Sequence, residues 1–344
     1  MEPPDLARPA AELLEAAAAA GWRGSDPYDG LWWGWPAPLV GGRRRRQAIM
    51  QLHARTPVDI RRLYRRERPP IAKALGIFGS VGIRLQRVTG DERWSKLGLE
   101  ALSELDADRR AGPDAWGYPW DTQTRWSFYP GGSPNVVVTF FAARGLAEGG
   151  FDDRALSAAR WTLDALYLPE RGFFAYHPGS EVLIHNASLL GARIVHTLLP
   201  PGTAPEESAR AVELTLSAQR PDGSWPYGEG MEFTDSFHTG YVLDCLCALR
   251  DVDPAVDEAV ARGAEYYTRR FFGPDGAASL WPGRRYPLDA HSAGTGLTSL
   301  AALVRHGHAG RDLLQRVAER TASHVVRGGH AVWRRYRFGR TTVR

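Results

Sequence analysis

One period dominates this chain. Four segments share an aromatic, proline-bearing loop, a polar residue and then an apolar run, starting near Pro134, His185, His238 and His291 at spacings of 51, 53 and 53 residues. A repeat of that length decides architecture before any local motif, because each unit buries its apolar face only against its neighbours. The apolar runs, 135–147, 186–199, 239–249 and 292–304, carry at most one formally charged residue each. They are of helical length and apolar nearly all round, which predicts buried inner helices. Between them, 152–167, 206–219, 255–271 and 311–326 mix charge with apolar residues at helical spacing, as outer amphipathic helices do; Leu156, Ala159, Leu163 and Leu166 show the stripe in the first. Upstream, 71–88 reads as a further inner helix and 91–105 as its outer partner, with more helix over 8–20 and 45–66.

Alternating inner and outer helices predict an all-α fold, an (α/α) toroid of about five to six helical hairpins. The same repeats without closure would make an open solenoid. The Pro/Gly clusters recur at the repeat period and so read as hairpin turns. Residues 1–344 are therefore expected to form one toroid domain with a less regular N-terminal helical part, 1–70.

Composition narrows the function classes. Lys plus Arg number 43 against 39 for Asp plus Glu, a net charge of +4, which is too mild to imply nucleic acid. Neither a strand-associated phosphate loop nor an RNA-binding signature occurs, so no nucleic-acid partner is expected. Cys245 and Cys247 lie two apart in an apolar run, where helix and strand geometry both forbid a mutual disulfide; a reducing cytoplasm follows as the expected compartment. No apolar stretch is long enough to span a bilayer, and no basic region precedes the N-terminal alanines. Arginines gather at 43–46, at Arg61, Arg62, Arg65, Arg66 and Arg68, and again over 327–344. Such runs suit a solvated helix face, or peripheral contact with an anionic membrane or a phosphorylated lipid carrier.

In a toroid, the loops leading into the inner helices gather at one end. Here they hold Trp116, Tyr118, Trp120 and Asp121; Phe173 to His177; Trp225, Tyr227 and Glu229; and Arg284, Tyr286 and Asp289. Rings at a cavity mouth bind sugar faces or isoprenoid chains, or else plug the turns against the core. His185, His238 and His291 occupy equivalent repeat positions, as acids and bases or as helix-end residues. Neither HExxH nor paired CxxC occurs, so no metal and no cofactor is expected. Asp235, His238 and Tyr241 fall within eight residues, TDSFHTGY, where Asp235 either orients the imidazole or caps the helix. Asp289 stands two residues before His291. Asp244 interrupts an inner helix and needs a polar cavity or a partner.

The stretch ARAVELTLSAQRPDGSWPYG, with Gln219, Gly223 and Trp225 in a Q-x-x-x-G-x-W pattern, resembles the repeat of the squalene-cyclase and prenyltransferase superfamily. That resemblance implies a toroid. The aspartate motifs of its cyclases, D-x-D-D and D-D-x-x-D, are not completed by Asp152-Asp153 or by Asp251-Val-Asp253. With DPYDGL, WGYPWDTQ, HNASLLGA, DSFHTGYVLD and YPLDAHSA, the span 26–344 also looks like bacterial proteins associated with surface-polysaccharide synthesis. It is similar in residue types to toroid polysaccharide lyases and uronyl epimerases, which implies proton transfer at a sugar carbon.

The expected function is a carbohydrate-active enzyme acting on a glycan or lipid-linked saccharide, by hydrolysis or by elimination or epimerisation at a uronate. Asp235, His238, Tyr227, Tyr241 and His185 are the expected catalytic residues. Trp116, Tyr118, Trp120, Asp121, Asn186, Trp225, Glu229, Asp244, Arg284, Tyr286, Asp289 and His291 would bind substrate. A terpenoid cyclase or prenyltransferase-like enzyme and a non-catalytic glycan-binding protein are the alternatives.

Overall fold

The computed structural model describes residues 7–56, 60–63, 66–107, 114–124, 127–324, 326–327 and 330–341. Helix dominates, and among these residues every strand is only two residues long. Five inner helices follow one another around a ring: α4 (Ala72–Thr89), α6 (Val136–Glu148), α8 (His185–Leu198), α10 (Ser236–Ala248) and α12 (Ala290–Arg305), each touching the next. Each packs on its own outer partner: α5 (Arg93–Ala107), α7 (Asp152–Leu166), α9 (Pro205–Ser217), α11 (Val256–Phe271) and α13 (Arg311–His324). The fold is the expected (α/α) toroid, and the named runs are its helices to within a few residues. The upstream helices are α1 (Ala7–Ala19), packed on α4 and α5, then α2 (Ala37–Val40) and α3 (Arg43–Arg55). The helix expected over 45–66 stops at Arg55, and a short 3₁₀ turn occupies Ile60–Leu63.

Glycine sets how closely the first inner helices approach. A Cβ on Gly76 would strike the Phe141 carbonyl of α6, and one on Gly145 would strike the Gly76 carbonyl of α4. Backbone therefore meets backbone at the α4–α6 seam, which no other residue type permits. The main core cluster runs from Val136 and Phe140 through Leu189, Leu190, Leu243 and Leu246 to Leu300 and Leu303, so successive inner helices share one interior.

Between α12 and α4 the ring is completed by the two ends of the chain. Tyr28 meets Trp333 edge to face at 5.9 Å. Leu288–Asp289 pairs with Arg334–Arg335, which pairs in turn with Arg340–Thr341. Arg334 donates to Asp289 at 2.7 Å. No helix among the described residues is long and apolar enough to cross a membrane. Cys245 and Cys247 are free and buried, and burial pushes both thiols up to about 12.

Candidate functional site

The inner helices begin at the end of the ring where the aromatic loops collect. Three of them are capped alike: the side chains of Asn135, Asp235 and Asp289 accept the backbone N–H of Val138, His238 and Ser292. The caps of α4 and α8 are Ile71 and Ile184, which offer no such acceptor. Counting from each cap places Lys73, Val137, Asn186, Phe237 and His291 at the second helical position of successive inner helices. This register gives one layer around the mouth of the lumen.

The chemistry gathers on α10 and α12. Asp235 has two tasks, because Oδ1 caps the helix through His238 N at 3.0 Å while Oδ2 lies 2.6 Å from His238 Nδ1. That contact holds the imidazole in one orientation and leaves Nε2 outside it. His238 lies edge to face with Tyr227 at 4.5 Å, and Tyr227 stacks on Phe233 at 4.8 Å. Phe237 then links two imidazoles, with His238 at 4.1 Å and His291 stacked at 4.2 Å. His291 Nε2 is 2.8 Å from Tyr241 Oη. Burial, followed by the charges of Lys73, His238 and Arg334, holds His291 well below the ordinary histidine range, so it is neutral near pH 7.

Next to this pair lies an aromatic cleft lined by Tyr118, Trp120, Tyr129, Asn135, Tyr176 and His177. Tyr118 stacks on Trp120 at 5.4 Å, and Tyr129 lies 4.8 Å from the His177 ring. Burial raises the phenols of Tyr118, Tyr176 and Tyr227, which remain protonated donors. On the side closed by the chain ends stands Asp26, whose carboxyl burial pushes up to about 6. Asp26, Tyr176, Phe237 and Lys73 were not among the residues expected at the site. The DPYDGL motif and the loop before α8 contain the first two, whereas only the helix register reveals the other two.

Several expected site residues lie elsewhere. His185 is 3% exposed and points outward, its Nδ1 3.3 Å from Thr215 Oγ1 on α9. Burial lowers it to about 4. It starts α8 one position earlier than His291 starts α12, and each residue turns about 100° around a helix. Trp116 and Trp225 are buried in the core and offer no open face for stacking. Trp225 donates Nε1–H to the Thr215 carbonyl, while Gln219 donates to the carbonyls of Gly223 and Ala259. The Q-x-x-x-G-x-W residues thus clip α9 to α11. Asp121 accepts Gly131 N–H, which is a turn contact. Glu229 is exposed in an ion pair with Arg171 at 2.8 Å, and Asp244 pairs with Arg193 of α8 at 2.6 Å. Asp289 combines its cap with the Arg334 ion pair. Arg284 is exposed, and Tyr286 is half-buried beside Arg285.

No group of three or more metal-ligating side chains is assembled among the described residues. Of the expected arginine patches, Arg61 is buried in an ion pair with Asp29 at 2.7 Å and Arg66 covers the Trp32 ring at 3.6 Å. Arg65, residues 328–329 and residues 342–344 lie outside the described residues.

No protein-family model matches this chain, and no curated protein matches its sequence. Its likeness to solved structures lies in the fold. Cellobiose 2-epimerase from Bacillus thermoamylovorans B4167 superposes with a TM-score of 0.61 at 12% identity, over 79% of this chain and 81% of that one. D-mannose isomerase gives 0.57 at 8% identity, over 79% and 82%. A possible GH105 member from Klebsiella pneumoniae subsp. pneumoniae MGH 78578 gives 0.54 at 14%, over 76% and 72%. The molecule is thus an (α/α) toroid protein with a histidine-centred lumen.

Proposed function

We propose that this chain is a carbohydrate-active enzyme that moves a proton at a sugar carbon, in epimerisation, isomerisation or elimination. The observation that carries the reading is the pair of imidazoles across Phe237, one held by Asp235 and the other by Tyr241. His238 is the base: Asp235 orients it and stabilises the imidazolium formed when Nε2 takes the proton. His291 is kept neutral and, with Tyr241, handles the proton or the sugar oxygen on its own side of the site. The aromatic cleft receives a neighbouring sugar ring. The toroids named above, an epimerase and an isomerase among them, support sugar chemistry in this fold.

Hydrolysis by two carboxylates is less well supported, because Asp289 is committed to Arg334 and Asp235 to His238. An isoprenoid cyclase is likewise disfavoured by a lumen rich in titratable groups. The test incubates the enzyme with a panel of reducing sugars and uronides in D₂O. Carbon-bound deuterium or a new epimer by NMR supports the reading; binding without exchange would leave a glycan-binding protein.

A lipid-linked saccharide fits this reading through α2 and α3, which touch each other. Leu39 and Leu52 are 48% and 51% exposed there, beside the exposed Arg43, Arg44 and Arg45. An apolar and basic surface of that kind suits an anionic bilayer. Co-sedimentation with phosphatidylglycerol vesicles but not phosphatidylcholine vesicles supports it, and indifference to both removes it. The free buried thiols suit the reducing cytoplasm expected from the sequence.

A further inference from the structure

Two polar groups in the layer at the lumen mouth lack partners. Lys73 has no hydrogen bond or ion pair among the described residues; its ammonium lies 4.8 Å from the Phe141 ring. Phe141 meets Tyr241 edge to face at 6.0 Å, and Tyr241 is bonded to His291. Lys73 therefore stands beside the catalytic pair, at the second position of α4 as His291 is at the second of α12. The carboxylates around it are engaged. Asp289 pairs with Arg334 and Asp235 with His238; Asp26, which accepts Tyr28 N–H at 2.8 Å in its own turn, acts on Lys73 through space but makes no ion pair with it among the described residues. The other group is Asn186, only 4% exposed, whose side-chain oxygen has no hydrogen-bond partner. It occupies the same layer on α8.

A buried amide oxygen without a donor is costly unless a ligand completes it, and a half-buried ammonium with no ion pair among the described residues is placed to meet an anion. We infer that the lumen binds a sugar bearing an anionic substituent, which Lys73 meets while Asn186 accepts a sugar hydroxyl. This rests on the sugar reading above and adds the substrate's charge. The shared chemistry is an anion on a pyranose, supplied either by a uronate carboxylate or by a phosphoryl group. Lys73 is then the residue that sets specificity.

The test measures equilibrium affinity of the full chain for methyl glucuronide, glucose 6-phosphate and methyl glucoside by calorimetry. At least one anionic sugar should bind about tenfold more tightly than the neutral one, as a charge-assisted contact provides, and the preference should shrink with added NaCl. Lys73→Met should lose the preference and Lys73→Arg retain it, while Asn186→Leu should weaken all three sugars alike. Whichever anionic sugar binds more tightly identifies the source of the charge. Equal binding of neutral and anionic sugars by the unaltered protein overturns the inference and leaves the sugar reading standing. A preference that persists in a folded Lys73→Met variant overturns it too. Failure of all three sugars to bind overturns both.

Discussion

Asp235 serves at once as helix cap and as partner of His238, and different substitutions separate the two roles. Asn caps as well as Asp but carries no charge, so Asp235→Asn should leave the melting temperature nearly unchanged while lowering turnover by roughly 10²- to 10⁴-fold. Asp235→Ala should lose the same activity and also about 1 kcal/mol of stability. Thermal melts and turnover measured on both variants check this; full activity in Asp235→Asn would remove the dyad from the mechanism. His185 tests the opposite assignment. When folded it takes up its proton at about 4 against the ordinary 6.5. Between those values the unfolded chain binds more protons, so His185 makes stability fall as pH drops through that window and has no such effect above it. The loss is on the order of 3 kcal/mol by pH 4. Denaturant titrations from pH 7 to pH 4 should therefore show a shallower decline in His185→Gln than in the unaltered protein. Asp235 and His238 were legible in the sequence because a spacing of three brings residues together on a helix. The equivalence of the three histidines was not a reliable guide: they occupy the first, third and second positions of their helices, so an aligned residue type does not share a direction.

Helices were the most legible elements, since an apolar run uninterrupted by charge has few alternatives to burial. The aromatic loops were less so. Their tryptophans read as lining, yet Trp116 and Trp225 had to fill the gap between an outer and an inner helix. Ring size alone does not say which side of a turn a Trp faces. The α4–α6 seam carries an element-scale prediction. Gly76→Ala would press a methyl group into the Phe141 carbonyl, and backbone cannot yield as a side chain can. A loss of roughly 1 to 3 kcal/mol is expected, measured by chemical denaturation. Gly294→Ala, where a Cβ meets nothing within 4 Å, should cost far less and serves as the control.

For the whole molecule, the repeat period made the ring legible but not its last sector. Residues 26–35 and 330–341 follow no repeat, and only the fold brings Tyr28 to Trp333. Removing residues 325–344 should leave the helical content largely intact by circular dichroism. Activity should fall steeply, because Asp289 loses Arg334 and the lumen loses a wall. Activity equal to that of the full chain would show that this sector does not shape the site.

The contact between residues 26–35 and 330–341 also sets the order in which the ring can close. Neighbouring hairpins meet across about 50 residues and can dock in turn as they leave the ribosome, whereas the contact between Tyr28 and Trp333 spans nearly the entire chain. His238 and His291 emerge well before the residues that finish their surroundings. Without Tyr28 and Trp333 in contact the two imidazoles would stand in a trough open between α12 and α4, so this one long-range contact converts a row of hairpins into an enclosed site.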